Sequence, residues 1–266
     1  MTDIAKNLLD KIKNDELFKK HPFVFVGGTA LSHHIQHRVS EDLDFAFTAD
    51  IPIYDVRAFA LRHNGIYLSD PAASAFRINT GIDLDSKHMK FLIDDVKVEF
   101  FYPADPLSQV CLSGEKNYFN DSAIQILNLK DIAKMKIKAL MDRIKIRDIF
   151  DVDEILKRDI LSADEFFVVA KEYIKKDEIA VLEKIKVMKE EKSDESLYFA
   201  DGSDVPSFDE LKINLYNRLD SHLRNDLAES EKKTIESLIG NTGGSLEDAI
   251  FKINKMNNTA SVEMPC

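Results

Sequence analysis

The chain is poor in cysteine. Its only cysteines, Cys111 and Cys266, are too few for a disulfide framework or a cysteine zinc site, and a reducing cytoplasm is the expected compartment. Long apolar runs are also missing: none approaches the roughly 18 residues a bilayer span requires. The opening stretch MTDIAKNLLDKIKNDELF carries acids where an export signal needs continuous apolar sequence, so export is not expected. There is no Gly-x-x-x-x-Gly-Lys-Ser/Thr and no Gly-x-Gly-x-x-Gly, which removes P-loop and dinucleotide-binding readings. No Ser–His–Asp or Cys–His arrangement can be assembled, and no internal repeat or low-complexity tract is visible. Net positive charge is absent as well, since 47 acids outnumber 36 Lys and Arg. A net charge of −11 argues against a surface that coats nucleic acid, because phosphate binding depends on clustered Lys and Arg.

What remains is an ordinary globular composition, 44% hydrophobic and 31% charged over 266 residues, enough to bury a sizeable core. One segment departs from the acidic average. Lys130 to Arg147 holds seven basic residues (Lys130, Lys134, Lys136, Lys138, Arg143, Lys145, Arg147) against Asp131 and Asp142. By itself such a run is a solvated helix face.

Apolar spacing predicts an amphipathic helix over residues 3–19, ended by Pro22, with Ile4, Leu8, Leu9, Ile12 and Leu17 near one side. FVFV (23–26) is a short buried strand, Ala30–His37 a helix, and Asp42–Phe47 an alternating strand. A further helix is expected over 54–64, stopping near Asn64-Gly65, then strands near Ala75–Asn79, Lys90–Leu92 and Val96–Phe101. Pro103 and Pro106 mark the exit from this part. From about residue 120 helix is expected almost throughout, over 130–157, 164–176 and 178–191. The polar stretch SDESLYFADGSDVPSFD reads as a loop, and Ser207 with Glu210 has capping-box spacing for a helix starting at Phe208. Gly240 and Gly243-Gly244 punctuate the last helices, and the tail beyond Asn257 is expected to fray.

The stretch from Phe23 to Phe47 carries the chemistry. Asp42 and Asp44, at i and i+2 of a strand, project from one face about 7 Å apart, where their oxygens can converge on a hard cation such as magnesium. Gly27, Gly28 and Thr29 lie where a strand meets a helix N-terminus, a place that favours phosphate. Asp-x-Asp also occurs at Asp83/Asp85 and Asp151/Asp153, and a glycine pair recurs at 243–244, so neither pattern is specific alone. Only the first copies run in the order strand, Gly-Gly-Thr, short helix, acidic strand. The residues leave two readings open: a phosphate and metal site, or a glycine turn with solvent-facing acids. His33, His34 and His37 lack the glutamate of a His-Glu-x-x-His zinc site and read as packing or surface histidines.

The run GGTALSHHIQHRVSEDLDF, through Arg38, Ser40, Asp42, Leu43, Asp44 and Phe45, resembles the signature of the AbiEii/AbiGii-type toxin nucleotidyltransferases, within the DNA polymerase β-like superfamily. DIAKMKIKALMDRIKIRDIFDVDEIL resembles the family's helical motifs at Asp131, Lys136, Arg143, Lys145 and Asp148. The two regions span roughly residues 23–157. The resemblance implies an α+β fold, with a nucleotidyltransferase-like mixed sheet flanked by helices over 1–118. A mostly helical region over 119–266 would contribute basic site residues. It implies a magnesium- or manganese-dependent enzyme that moves an NMP from an NTP to a hydroxyl, at a tRNA 3′ end or on a protein. The chain would be the toxin of a toxin–antitoxin pair. Asp42 and Asp44 would hold metal, with Glu99 as the third carboxylate. Gly27, Gly28, Thr29, Arg38 and Ser40 would contact the nucleotide, His37 beside them. Lys136 and Arg143 would neutralise the triphosphate, and Asp148 would orient a basic side chain or act near the nucleophile. Two alternatives are a nucleotide- or partner-binding module on the same scaffold without turnover, and a purely structural helical adaptor.

Overall fold

The structure is a computed structural model, and it describes residues 1–70, 73–81, 83–190, 197–199 and 202–242. Thr2 opens α1 (Asp3–Ile12) by accepting the Ala5 N–H at 3.2 Å, and the helix buries Ala5, Leu8, Leu9 and Ile12. The helix expected over 3–19 is broken at 13–15. Asp15 caps a separate α2 (Glu16–Lys20), accepting the Leu17 N–H at 2.8 Å. Asp gains more from the orphan amide at a helix start than from a place inside a helix, so the cap redirects the chain. Ile4, assigned to the apolar face, is exposed.

Strand β1 (Val24–Val26) runs directly into α3 (Gly27–Ile35), which begins three residues earlier than expected. β2 (Leu43–Ala46), α4 (Ile53–Arg62) and β3 (Ile66–Tyr67) follow. The strand expected near 75–79 is instead α5 (Ala73–Thr80), closed by Gly81 at φ +72°, whose N–H donates to the Arg77 carbonyl. Next come β4 (His88–Ile93), β5 (Val96–Phe101), α6 (Pro106–Ser113), β6 (Lys116–Tyr118) and β7 (Gln125–Leu127). The helical remainder is α7 (Leu129–Asp142), α8 (Ile146–Lys157), α9 (Ala163–Ile174), α10 (Glu178–Val187) and α11 (Phe208–Thr242). The Ser207–Glu210 box starts α11 as expected, each residue's backbone N–H donating to the other's side chain. Gly243-Gly244 and the tail beyond Asn257 lie outside the described residues, as does part of the stretch expected to form a loop.

The strands form one mixed sheet in the order β3-β4-β5-β2-β1-β7-β6. β2 pairs antiparallel with β1 and parallel with β5, while β1 pairs parallel with β7. Side-chain alternation then sorts the two faces. On one, Leu43 and Phe45 of β2 stand beside Val98 and Phe100 of β5, joining a fully buried cluster with Phe18, Phe23, Phe25 and Phe59. The Phe45 and Phe100 rings stack with centroids 5.4 Å apart. Each such ring contributes roughly 1.5–3 kcal/mol by leaving water. On the other face, Asp44, Lys97 and Glu99 point away from that core, and α3 and α7 pack together on this side.

The chain divides into two compact units, Met1–Leu215 and Tyr216–Cys266, and all seven strands belong to the first. Among the described residues no helix is long and apolar enough to cross a membrane.

Candidate active site

The strand register brings the carboxylates together. Asp44 of β2 stands directly opposite Glu99 of β5, and the mean spacing of paired strands separates their backbones by about 4.8 Å. On its other side Asp44 pairs with Val26, the last residue of β1. The next residue, Gly27, therefore lies against the Asp44 carboxylate. A Cβ there would come within 2.1 Å of Oδ2, and φ is +78°, so both space and backbone demand glycine. No side chain caps the α3 N-terminus, and no acid occupies its first turn.

These groups floor a cleft of about 490 Å³, walled on the far side by Lys136 and Arg143. Of the residues expected at the site, the cleft gathers Gly27, Asp44, Glu99, Lys136 and Arg143. Asp42 is reached through Lys97, whose Nζ lies 3.0 Å from Asp42 Oδ2 and 3.1 Å from Glu99 Oε1. His88 Nε2 holds the other Glu99 oxygen at 2.8 Å.

This arrangement splits the two acids. Burial pushes Asp44 up to about 6, helped by the charges of Glu99 and Asp42 and opposed by Lys136 and Lys97. Burial acts upward on Glu99 too, but the His88 hydrogen bond and the nearby Lys97 charge bring it down to about 2. Among the described residues no ion pair reaches Asp44.

Gly28, Thr29, Arg38 and Ser40 form a tier behind the floor. The space a Gly28 side chain would take holds Arg38 Nη2, 2.6 Å from an ideal Cβ. The Thr29 hydroxyl donates to the Asp42 carbonyl and sits 2.8 Å from Ser40 Oγ. Thr29, Arg38 and Ser40, expected to contact the nucleotide, are buried with these polar atoms bonded to protein. His37, placed beside the nucleotide on the same expectation, is also buried, with Nε2 on Asp151 and its ring stacked on Phe150. His34 Nε2 lies 3.1 Å from the Leu127 carbonyl and His33 packs on Phe119.

The hub of that tier is Asp151, fully buried on α8. Its carboxylate takes Arg38 Nε at 2.7 Å, Arg38 Nη2 at 3.0 Å, His37 Nε2 at 2.6 Å and Lys136 Nζ at 2.8 Å. Burial pulls its pKa upward, yet the charges of Arg38 and Lys136 and these hydrogen bonds hold it well below the usual range. Asp148, one turn earlier and also buried, takes Lys136 at 3.2 Å and Arg143 Nε at 2.9 Å. Asn128 caps α7 by accepting the Asp131 N–H at 2.9 Å, and the Asp131 carboxylate is bound locally by Asn128 Nδ2 and Lys134. In the sequence Asp151 belongs only to a non-specific Asp-x-Asp. The signal available was its i+3 spacing from Asp148, inside the apolar stripe of Ile149, Val152 and Ile155. Lys97 and His88 were missed too, although alternation places Lys97 on the Glu99 face.

A glycine bend pressed against a carboxylate that stands in register with a second, across a cleft from Lys136 and Arg143, is an arrangement of the nucleotidyltransferase class. The chain is a member of one family within it, the AbiEii toxins: the family described as nucleotidyl transferase AbiEii toxin, type IV TA system, matches residues 9–236. No curated protein matches the chain. Among solved structures it is similar to JHP933 from Helicobacter pylori, 20% identical over 88% of this chain and 96% of that one, with a TM-score of 0.45. It is also similar to MenT4, a nucleotidyltransferase toxin of Mycobacterium tuberculosis, 12% identical over 82% and 84% of the two chains, with a TM-score of 0.47.

Proposed function

We propose that this toxin-family enzyme transfers an NMP from an NTP to a hydroxyl acceptor, a tRNA 3′ end or a protein side chain, with a divalent cation as cofactor. The observation that carries this reading is the in-register pair Asp44 and Glu99, with Gly27 pressed against Asp44. The donor set fits magnesium or manganese: Asp44 and Glu99 on two adjacent strands, and Asp42 just before the first of them, offer only hard carboxylate oxygens, and the absent Gly27 side chain keeps the approach to Asp44 clear. When bound there, such ions supply charge neutralisation at the attacking and leaving oxygens.

The chain's own groups do the rest. The acceptor oxygen forms a bond to the α-phosphorus, the bond to the bridging oxygen breaks, and pyrophosphate departs while the acceptor proton goes to solvent. The uncapped N–H groups of the first turn of α3 face the triphosphate, and Gly27 lets it approach the backbone. Lys136 and Arg143 offset its charge from the far wall, held in place by Asp148 and Asp151. Thr29, Ser40 and Arg38 act as positioning residues that set the Asp42–Asp44 strand against the bend. Membership of a type IV system supports a cognate antitoxin as partner.

The decisive experiment incubates the purified protein with each labelled NTP, magnesium, and total cellular RNA or protein, then identifies the labelled species. Asp44→Asn is expected to abolish labelling with unchanged circular dichroism. Undiminished labelling removes Asp44 from the site, and no labelled acceptor from the unsubstituted protein favours the binding-module reading.

A further inference from the structure

Lys97 has no part in the scheme above, yet it occupies the acidic cluster. It lies two residues before Glu99 on β5 and one residue ahead of the Leu43–Val98 pairing, so the strand register sets it across from Asp42. One ammonium thereby engages two of the three carboxylates, while His88 takes the remaining Glu99 oxygen. Asp44 and Glu99 both line the cleft, and among the described residues only Glu99 of the two is held by an ion pair. An incoming divalent ion can meet Asp44 directly, but it must displace Lys97 to gain Asp42 and Glu99.

We propose that Lys97 is a tethered counter-cation that competes with divalent metal for Asp42 and Glu99, so that this site takes up its metal together with the triphosphate rather than ahead of it. The proposal rests on the metal-site reading of the three carboxylates. The physical reason is charge balance. A covalently tethered ammonium cannot diffuse away, so its effective concentration at the carboxylates is high, and a half-buried contact is poorly screened by salt. Once displaced, it needs another anion within reach, and a bound triphosphate supplies one. The nucleotide therefore removes the competitor, and by reciprocity the metal strengthens nucleotide binding to the same degree.

The test measures Mn²⁺ affinity by electron paramagnetic resonance, with and without an α,β-methylene NTP analogue that cannot be cleaved. Without nucleotide, Lys97→Met is expected to bind Mn²⁺ about tenfold more tightly than the unsubstituted chain, from loss of one charge near the site. Lys97→Arg, which keeps the charge, should stay within about twofold. The analogue should tighten Mn²⁺ binding more in the unsubstituted chain than in Lys97→Met, and Asp44→Asn in the Lys97→Met background should erase the gain. Equal Mn²⁺ affinity in Lys97→Met and the unsubstituted chain, with Asp44→Asn still lowering it, overturns the competition and leaves the metal-site reading standing. Mn²⁺ binding indifferent to Asp44→Asn, even with the analogue, overturns both.

Discussion

Asp44 and Glu99 stand side by side on the same face of adjacent strands, and they differ because, among the described residues, only Glu99 has a cationic or hydrogen-bonding partner for its side chain. Glu99 is held by His88 and Lys97; Asp44 is ringed by protein and by other negative charge. Burying an unpaired carboxylate costs stability, and the sign follows from proton linkage. Unfolded, Asp44 releases its proton near the ordinary 3.8; folded, it does so near 6. Between those values the folded chain holds a proton that the unfolded chain has lost, so stability falls as pH rises, and the loss is complete above about 6. Asp44→Asn is therefore expected to increase the cation-free unfolding free energy at pH 8 by up to about 3 kcal/mol. It should change little near pH 3.5. Denaturant titrations at the two pH values check this, and equal effects at both would contradict the raised pKa. Glycine at 27 and the acidic pair were legible from residue order. Lys97 was not, because a lysine in a charge-rich chain carries no mark of which carboxylate it will meet.

Helix α8 is the element that joins the glycine bend to the cationic wall. Asp151 on its buried face ties Arg38, which braces the bend, to Lys136 on α7. Asp151→Asn keeps the shape but removes the charge, leaving two buried cations short of a counter-ion. A loss of about 3–5 kcal/mol in chemical denaturation is expected, the usual cost of breaking a buried ion pair from one side. A loss below about 1 kcal/mol would mean that the network is not what holds α8 to the bend. The segment expected to be helical over 130–157 breaks at Arg143–Lys145, where extended backbone separates α7 from α8. Helices α9 and α10 were visible as apolar periodicity. Strands β3, β6 and β7 were not, since two or three residues are too few to display a period. Residues 73–80 misled for the same reason: a short alternating run fits either state, and the chain there is helical.

At the scale of the whole molecule, the cationic segment at 130–147 does not offset the acidity of the rest. Lys130 meets Glu165, Lys134 meets Asp131, Lys138 meets Asp105 and Asp142, and Lys136 and Arg143 meet the α8 acids. The solvated helix face expected from sequence is instead largely a face of ion pairs between elements. With a net charge of −11, binding to single-stranded RNA is expected to depend only weakly on salt. A log–log slope no steeper than about −2 should appear in fluorescence anisotropy, and a slope near −5 would reveal a phosphate-tracking surface.

Local order along the chain was enough for the family, the glycine bend, the acidic strand and the strand that carries Glu99, because each depends on residues close in sequence or on a two-residue alternation. Folding alone decided which polar groups face the cleft and which face one another. Thr29, Arg38 and Ser40 turned inward, and Asp151 and Lys97 became partners of groups 113 and 55 positions away. Charge pairing acts through space, and a linear sequence records no distance between residues that the sheet and helices later bring within 3 Å.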